Sequence, residues 1–595
     1  MAAPRERSKL CGLARPQPAM PIQRLPVSTR RTRVGLCALL LVGVSACYTP
    51  AEQLVNADRD TYAVLEKRRA ELGAEGGFSI EPPDDSLRQR MLDGATPGPL
   101  GLVETLNVAA ENSRDFQRRK EDLYLSALDL TLERFAFQAQ RSGQFAAALQ
   151  GSGAEAQNAD FGAGAAVRRL LGAGAQILGD VGLSLARNIS TGDAWGLTSD
   201  LGLSVTQPLL RGFGKRIVME PLTQAERNVV YQARSFERFR RTFAVDVTSR
   251  YLRILQQMSQ LENERANFDN LQQVRERNEA LSLAGRLSEV QVAQAQQNEL
   301  SSKVRLIEQE QRLQTSLDNF KLFLGLPIHT PLALKSDEVE QLDAGGGLDV
   351  PEVLAIEFAL AQRLDHLTVL DQVADAERKV PIAANRLLAR VDVNASVDAR
   401  SELNKPLNYD KDNVGWLLGL DVALPIDLIN ERNAYRETLI TLERAKRSQI
   451  ESADSIRAAL RDELRQARTQ LETLRIQENA VELAERRIES TQLNQQAGRA
   501  ETRDILEAQE ALRQARNALI AARVDFHLAR LSLWRDMELL RVDDSGVGAD
   551  FELLESEPWS SLVETAPEPQ PEPDPTDPAV PDPNPSEPSP AELPR

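Results

Sequence analysis

Four segments of the chain alternate apolar and polar residues with a period of two. In the first, Ala175, Ile177, Val181, Leu183 and Leu185 fall on one side, with Gln176, Asp180 and Ser184 on the other. Leu197, Leu201, Leu203 and Val205 alternate with Thr198, Asp200, Ser204 and Thr206. Val391, Val393, Ala395 and Val397 alternate with Asp392, Asn394, Ser396 and Asp398, and Trp416, Leu418, Leu420, Val422 and Leu424 with Gly419, Asp421 and Ala423. Successive side chains of a strand point to opposite faces, so each segment predicts a strand with one apolar and one polar face. At about 10–13 residues, each has the length of a tilted membrane-spanning strand. A soluble sandwich, with apolar faces meeting in a core, competes on the strands alone. Four strands cannot close a barrel, which needs about eight, so a barrel requires several protomers to share strands. The polar stretches 188–194 and 401–413 read as hairpin loops. Trp195 and Trp416 adjoin them on the apolar side, where an aromatic girdle is expected.

Elsewhere the period lengthens. Val247, Tyr251, Ile254, Met258 and Leu261 advance by 4, 3, 4, 3, as do Leu460, Leu464, Ala467, Leu471 and Leu474. That is coiled-coil spacing. Leu222 to Leu324 contains no Pro and one Gly, Gly285; Ile426 to Val542 contains no Pro and one Gly, Gly498. The pattern predicts very long helices over 216–284 and 431–497, each roughly 100 Å, and shorter ones over 287–324 and 500–540. Each lone Gly permits a tight turn, so each pair reads as an antiparallel hairpin. Rods of this length need partners along their whole extent.

The chain is written twice. Leu201-Gly-Leu-Ser-Val-Thr-Gln-Pro208 and Leu418-Gly-Leu-Asp-Val-Ala-Leu-Pro425 share five of eight residues at an offset of 217. Ala284-Gly-Arg286 and Ala497-Gly-Arg499 recur at an offset of 213. The order also repeats: a medium helix (about 101–132, then 351–388), two strands, a long hairpin.

The N-terminus is of another kind. Residues 1–33 are basic, Val34–Val44 is apolar, and Val44-Ser45-Ala46-Cys47 follows. This reads as a secretory signal over 1–46, with Met1 or Met20 as its start. The small-small-Cys ending resembles a bacterial lipobox, which implies acylation of Cys47. Cys11 and Cys37 lie in the removed segment, leaving Cys47 as the only thiol of the mature chain. Tyr48 is not the Asp that resembles an inner-membrane retention signal, so the outer membrane is expected. The leader holds eight basic residues and one acid, so its removal takes the charge from −17 to −24. That charge argues against a nucleic-acid partner. No internal apolar run reaches the ~20 residues of a spanning helix.

The duplicated helix–strand–strand–hairpin unit, the LGLSVTQP and LGLDVALP entries to the long helices and the Ala-Gly-Arg tips together resemble the outer-membrane efflux protein family, the TolC-like ducts, over about residues 99–541. The resemblance implies a mainly α fold with β: a homotrimer with a 12-stranded β-barrel, four strands per protomer, on a 12-helix α-barrel. It implies no enzymatic activity. It implies export of small molecules or proteins, in an efflux or type I secretion system, through a periplasmic adaptor and an inner-membrane pump. Asp504 and Glu507, three apart on one helical face, match the acidic pair at the family's periplasmic gate. Gln495 stands where the family has an aromatic. The tips Gly285, Arg286, Leu287, Ser288, Gly498 and Arg499 are where an adaptor would dock. Asp392, Asn394, Asp398 and Asp421 are expected to face the barrel lumen.

The organisation is then a signal peptide (1–46), a periplasmic lead-in (47–98), a first repeat (99–325), a connector (326–350), a second repeat (351–541), a C-terminal periplasmic segment (542–565) and a tail (566–595). That tail is rich in Pro and acid, as in Pro-Glu-Pro-Asp-Pro, and cannot pack a core. The Ala/Gly-rich insert 142–174 has no assigned place. No cofactor or metal is expected: His329, His366 and His527 lack ligand spacing, and Arg211-Gly-Phe-Gly-Lys215 lacks the Walker pattern. The rival from another class is a periplasmic coiled-coil adaptor or structural lipoprotein.

Overall fold

The computed structural model describes residues 49–71, 78–81, 83, 85–152, 156–189, 191–339, 341–342, 350–497, 499–543 and 546–555. The signal peptide, Cys47, Gly498 and the tail lie outside the described residues. The chain divides into two units, 1–60 and 61–595. In the first, helix α1 (Pro50–Glu71) begins at a capping box: the Glu52 amide donates to Thr49 Oγ1 at 3.3 Å and the Thr49 amide to Glu52 Oε2 at 3.0 Å. All that follows concerns the second unit.

After a short helix α2 (Leu87–Leu92), the first repeat runs α3 (Leu102–Asn112), α4 (Arg114–Ala136), β1 (Gln140–Ser152), β2 (Ala156–Leu170), β3 (Gln176–Asn188), β4 (Gly196–Pro208), a single turn α5 (Lys215–Val218), and the hairpin α6 (Glu220–Leu283) and α7 (Glu289–Leu324). The second runs α8 (Glu352–Gln362), α9 (Leu364–Asn385), β5 (Arg390–Arg400), β6 (Val414–Ala423), and the hairpin α10 (Ile429–Gln496) and α11 (Thr502–Asp536). A small β7 (Leu540–Asp543), β8 (Gly546–Ala549) hairpin and α12 (Glu552–Glu555) close the described chain. The long helices have 64 and 68 residues, as the Pro-free heptad stretches predict. The medium helices differ from expectation. Each is broken in two at one residue, Ser113 (ψ 127°) and Arg363 (ψ 120°), whose extended backbone cannot continue a helix.

The core sits where the medium helices lie against the long ones. Leu123, Ala127 and Leu130 of α4 cluster with Val229, Ala233, Phe236 and Phe243 of α6. In the second repeat Leu354, Ala355 and Phe358 of α8 cluster with Leu460 and Leu464 of α10 and Leu531 and Leu533 of α11. The connector returns to the start of the first repeat. Leu100 pairs with Leu334, and Tyr251 of α6 donates to the Leu100 carbonyl at 3.2 Å.

The sheet has six strands, in the order β1-β2-β3-β4-β5-β6, and every neighbouring pair is antiparallel. This corrects the expectation of four. The extra pair is the Ala/Gly-rich insert, fully in register with β3 from Asn158↔Asn188 to Leu170↔Gln176. Ala and Gly carry little strand preference and little polar–apolar contrast, which hid the alternation in Gln144, Phe145, Leu149 and Gln150.

Candidate functional site

Register decides which side chains share a face. One face carries Phe145, Leu149, Phe161, Val167, Val181, Leu183, Leu201, Leu203, Val397, Trp416, Leu418, Leu420 and Val422, all of them exposed. Among the described residues of the six strands only Ala159, Ser199 and Asp392 are buried, so neither face has a core. On β3 this apolar face runs from Ile177, opposite Arg169, to Arg187, opposite Ala159, with no charge between. Ten residue steps at ~3.4 Å and a ~40° tilt rise roughly 25 Å, the height of a membrane barrel's apolar band. At its outer end Arg187 lies over the Trp195 ring at 5.8 Å, and Phe161 packs on Trp195 at 5.7 Å.

Trp416, 78% exposed, is on the same face. Each tryptophan stands at the outer end of its own hairpin, but in different rows. The β5–β6 ladder stops at Ala399↔Val414, and Trp416 aligns through Val397 with Leu203, well down β4 from Trp195. The girdle read from the sequence is therefore not one row within a protomer. Loop 401–409 instead continues along β4: the Ser401 amide donates to Ser199 O at 2.9 Å, and Asn404 to Leu197 O at 2.7 Å.

The other face is polar. It brings together all four residues expected in the lumen and adds Asp160, Asp180 and Asp200. Asp180, Gly202, Asp398 and Gly415 are consecutive partners across β3, β4, β5 and β6. The glycines make room for the acids. A Cβ at Gly202 would collide with the Asp180 carboxylate, one at Gly182 with Asp200, and one at Gly415 would lie 2.9 Å from Asp398 Oδ2. Asp392 and Asp421 face each other near the helical end. Arg390 Nε donates to Asp392 Oδ2 at 2.6 Å, and Asn394 Nδ2 donates to Asp421. The alternation of β3 and β4 carried Asp180 and Asp200 in plain view; Asp160 lay in the unassigned insert.

The first helical tip ends as its lone glycine predicts. Gly285 has φ +70°, its amide donates to Ser282 O at 2.9 Å, and Arg286 N reaches Leu281 O at 2.9 Å. That is a Schellman turn. Arg499 N donates to Asn494 O at 2.8 Å, the equivalent bond 213 residues on. Ser288 occupies the N-cap position of α7 without a side-chain cap bond, and Arg286 and Ser288 are exposed with Leu287 partly so.

Asp504 and Glu507 are both exposed on one face of α11, while Ile505, Leu506 and Ala508 point inward. Each already has a partner. Asp504 Oδ2 accepts the Glu501 amide at 2.9 Å in a capping box, and Arg503 Nε donates to Glu507 Oε1 at 2.8 Å. Further up, a buried knot joins the hairpins: Glu264 of α6 accepts from Ser302 Oγ at 2.8 Å and Arg305 Nε at 3.1 Å of α7, with Arg513 of α11 at 3.4 Å.

No protein-family model and no curated protein matches the sequence. Solved structures do. CusC, described in terms of folding and transmembrane channel formation, is 13% identical, with a TM-score of 0.55 over 73% of this chain and 91% of that one. The outer membrane protein VceC of Vibrio cholerae is 14% identical, with a TM-score of 0.54 over 73% and 95%. The CmeC outer membrane channel of Campylobacter jejuni is 13% identical, with a TM-score of 0.53 over 78% and 88%. This is the TolC-like channel fold. No helix among the described residues is long and apolar enough to cross a membrane, and no group of His, Cys, Asp and Glu among them could hold a metal ion.

Proposed function

We propose that this chain is the outer-membrane duct of a tripartite efflux or type I secretion machine. Three copies close the sheets into a barrel and the long hairpins into a helical tunnel, anchored by lipid on Cys47. The observation that carries this reading is a coreless sheet with one exposed face whose central band is apolar, with Arg141, Arg169 and Arg187 only toward its ends. In water such a face would aggregate; in a bilayer it meets lipid, and its unpaired edges are satisfied only by closure. The helices support the same assembly. Leu300, Val304 and Ile307 of α7 and Ile450, Ile476 and Leu483 of α10 are exposed apolar positions that suit contacts between copies.

Asp392, Asn394, Asp398 and Asp421 line the wet lumen, Trp195 and Trp416 contact the lipid interface, and the tips around Gly285–Ser288 and Gly498–Arg499 receive the adaptor hairpins. Asp504 and Glu507 of three protomers place six carboxylates at the periplasmic entrance, with Arg503 offsetting part of that charge. A helical adaptor or structural lipoprotein has no use for a coreless amphipathic sheet.

Extracted from the outer-membrane fraction in mild detergent, the protein is expected to run as a trimer that dissociates only on heating, and to conduct ions across a planar bilayer. A soluble monomer that never conducts overturns the reading.

A further inference from the structure

The sequence alone gives four strands to a protomer; the structure has six in one continuous sheet. The added β1–β2 hairpin is not an appendage. Its strands have 13 and 15 residues, and β2 is laddered to β3 along the whole of Asn158–Leu170. Both hairpin strands keep the alternation of the rest. Phe145, Leu149, Phe161 and Val167 continue the exposed apolar face, and Gln144, Gln150, Asn158 and Asp160 continue the polar one.

Resting on the trimeric duct proposed above, we propose that β1 and β2 are part of the barrel wall, so that three copies close eighteen strands, and that the outer barrel is not the size filter of this duct. Chain direction permits the closure. β1 leaves α4 and runs away from the helices, while β6 returns toward α10, so β6 of one protomer meets β1 of the next antiparallel. Closing β6 on β3 instead would break the β2–β3 ladder and leave two edges unpaired in lipid.

Eighteen strands at ~4.8 Å spacing and ~40° tilt give a backbone diameter of about 36 Å, against about 24 Å for twelve. A ring of twelve helices at 8–10 Å spacing measures about 31–38 Å. The barrel is then as wide as the tunnel below it. The hairpin adds circumference without filling the bore, because much of its polar face is Ser142, Ala146, Ala148, Gly162, Gly164 and Ala166. Solutes up to about 25 Å across clear such a lumen after side chains of about 5 Å are allowed on each wall, in the range of wide porin-like channels. Size selection falls to the helical end.

Disulfide trapping in the full chain tests this. β1 and β6 stand at opposite edges of one sheet, so they can be linked only between copies. Ala146→Cys in β1 is combined in turn with Leu417→Cys or Gly419→Cys in β6, and Leu178→Cys in β3 with the same two; single-cysteine variants control for the native cysteines. Oxidised membranes should yield covalent species of up to three chains from the β1–β6 pairs. Linkage of β3 to β6 with none from β1 overturns the inference and leaves the duct standing. Linkage from neither overturns the shared barrel itself, and the inference with it.

Discussion

Arg238 of α6 holds the far end of α11: its Nη2 donates to Asp536 Oδ1 at 2.7 Å and its Nη1 to Glu538 Oε2 at 3.0 Å. The contact joins the first repeat to the second. Glu538 adopts φ 66°, a left-handed conformation usual for glycine at a helix end, and Arg241 grips it as well. Burial by itself would raise the Asp536 carboxyl. The bond from Arg535 and the charges of Arg535, Arg238 and Arg363 hold it below the usual carboxylate range instead. Arg238→Ala leaves both acids short of a partner, so unfolding free energy should fall by about 3–5 kcal/mol. Because the folded pKa of Asp536 is depressed, its contribution is complete at neutral pH and disappears as pH falls below 3.8. Denaturant midpoints of wild type and variant across that range should converge.

His527 of α11 acts in the same direction but in a higher pH window. Burial first, and then the Arg530 charge, lower it from 6.5 to about 4. Between those values the unfolded chain binds a proton that the folded one does not, so stability declines as pH falls from 6.5 toward 4, by about 1–2 kcal/mol at pH 5. Thermal midpoints of His527→Asn at pH 7 and pH 5 should lie closer together than those of wild type. An equal difference removes His527 as the source.

Glu264 is the acid that both hairpins share. Glu264→Ala strands Ser302 and Arg305 on one hairpin and loosens Arg513 on the other. The expected loss is about 3 kcal/mol or more in unfolding free energy, with faster proteolysis of α11 than of α7. Equal protection of the two helices would show that the knot does not join them.

In the proposed barrel the acids of the polar face are expected to set ion preference. With Asp180, Asp200 and Asp398 all changed to Asn, the preference for cations over anions in bilayer reversal potentials should shrink toward none. An unchanged reversal potential places the selecting charges elsewhere.

At the proposed entrance, Asp504→Asn together with Glu507→Gln should raise single-channel conductance or weaken block by multivalent cations. The same change in Arg503→Gln should act oppositely, since it frees Glu507 from its 2.8 Å partner. Identical conductance and block in both would take this face out of the gate.

What the sequence disclosed followed the strength of its periodicity. The heptads of Val247–Leu261 and Leu460–Leu474 fixed the hairpins, and the alternation around Asp200 and Asp398 fixed strands and faces. Arg363 carries no signal of the single extended residue it supplies, whereas Ser113 is of a residue type that favours an N-cap, the place it takes before α4. Gln140–Leu170 failed for a different reason: with Ala and Gly at most positions, a strand's two faces look alike until its neighbour β3 is seen beside it. The partners of Asp504 and Glu507 are local, and a reading of Glu501 and Arg503 as cap and i,i+4 pair would have found them.

Because the insertion is a whole hairpin, the strands after it keep the directions they would have without it. In the proposed trimer a single gene segment is then gained or lost three times over, and the opening of the barrel changes width by a fixed step. In that assembly the helices need not change at all, so the calibre of the proposed exit and the docking proposed at its base are free to vary independently.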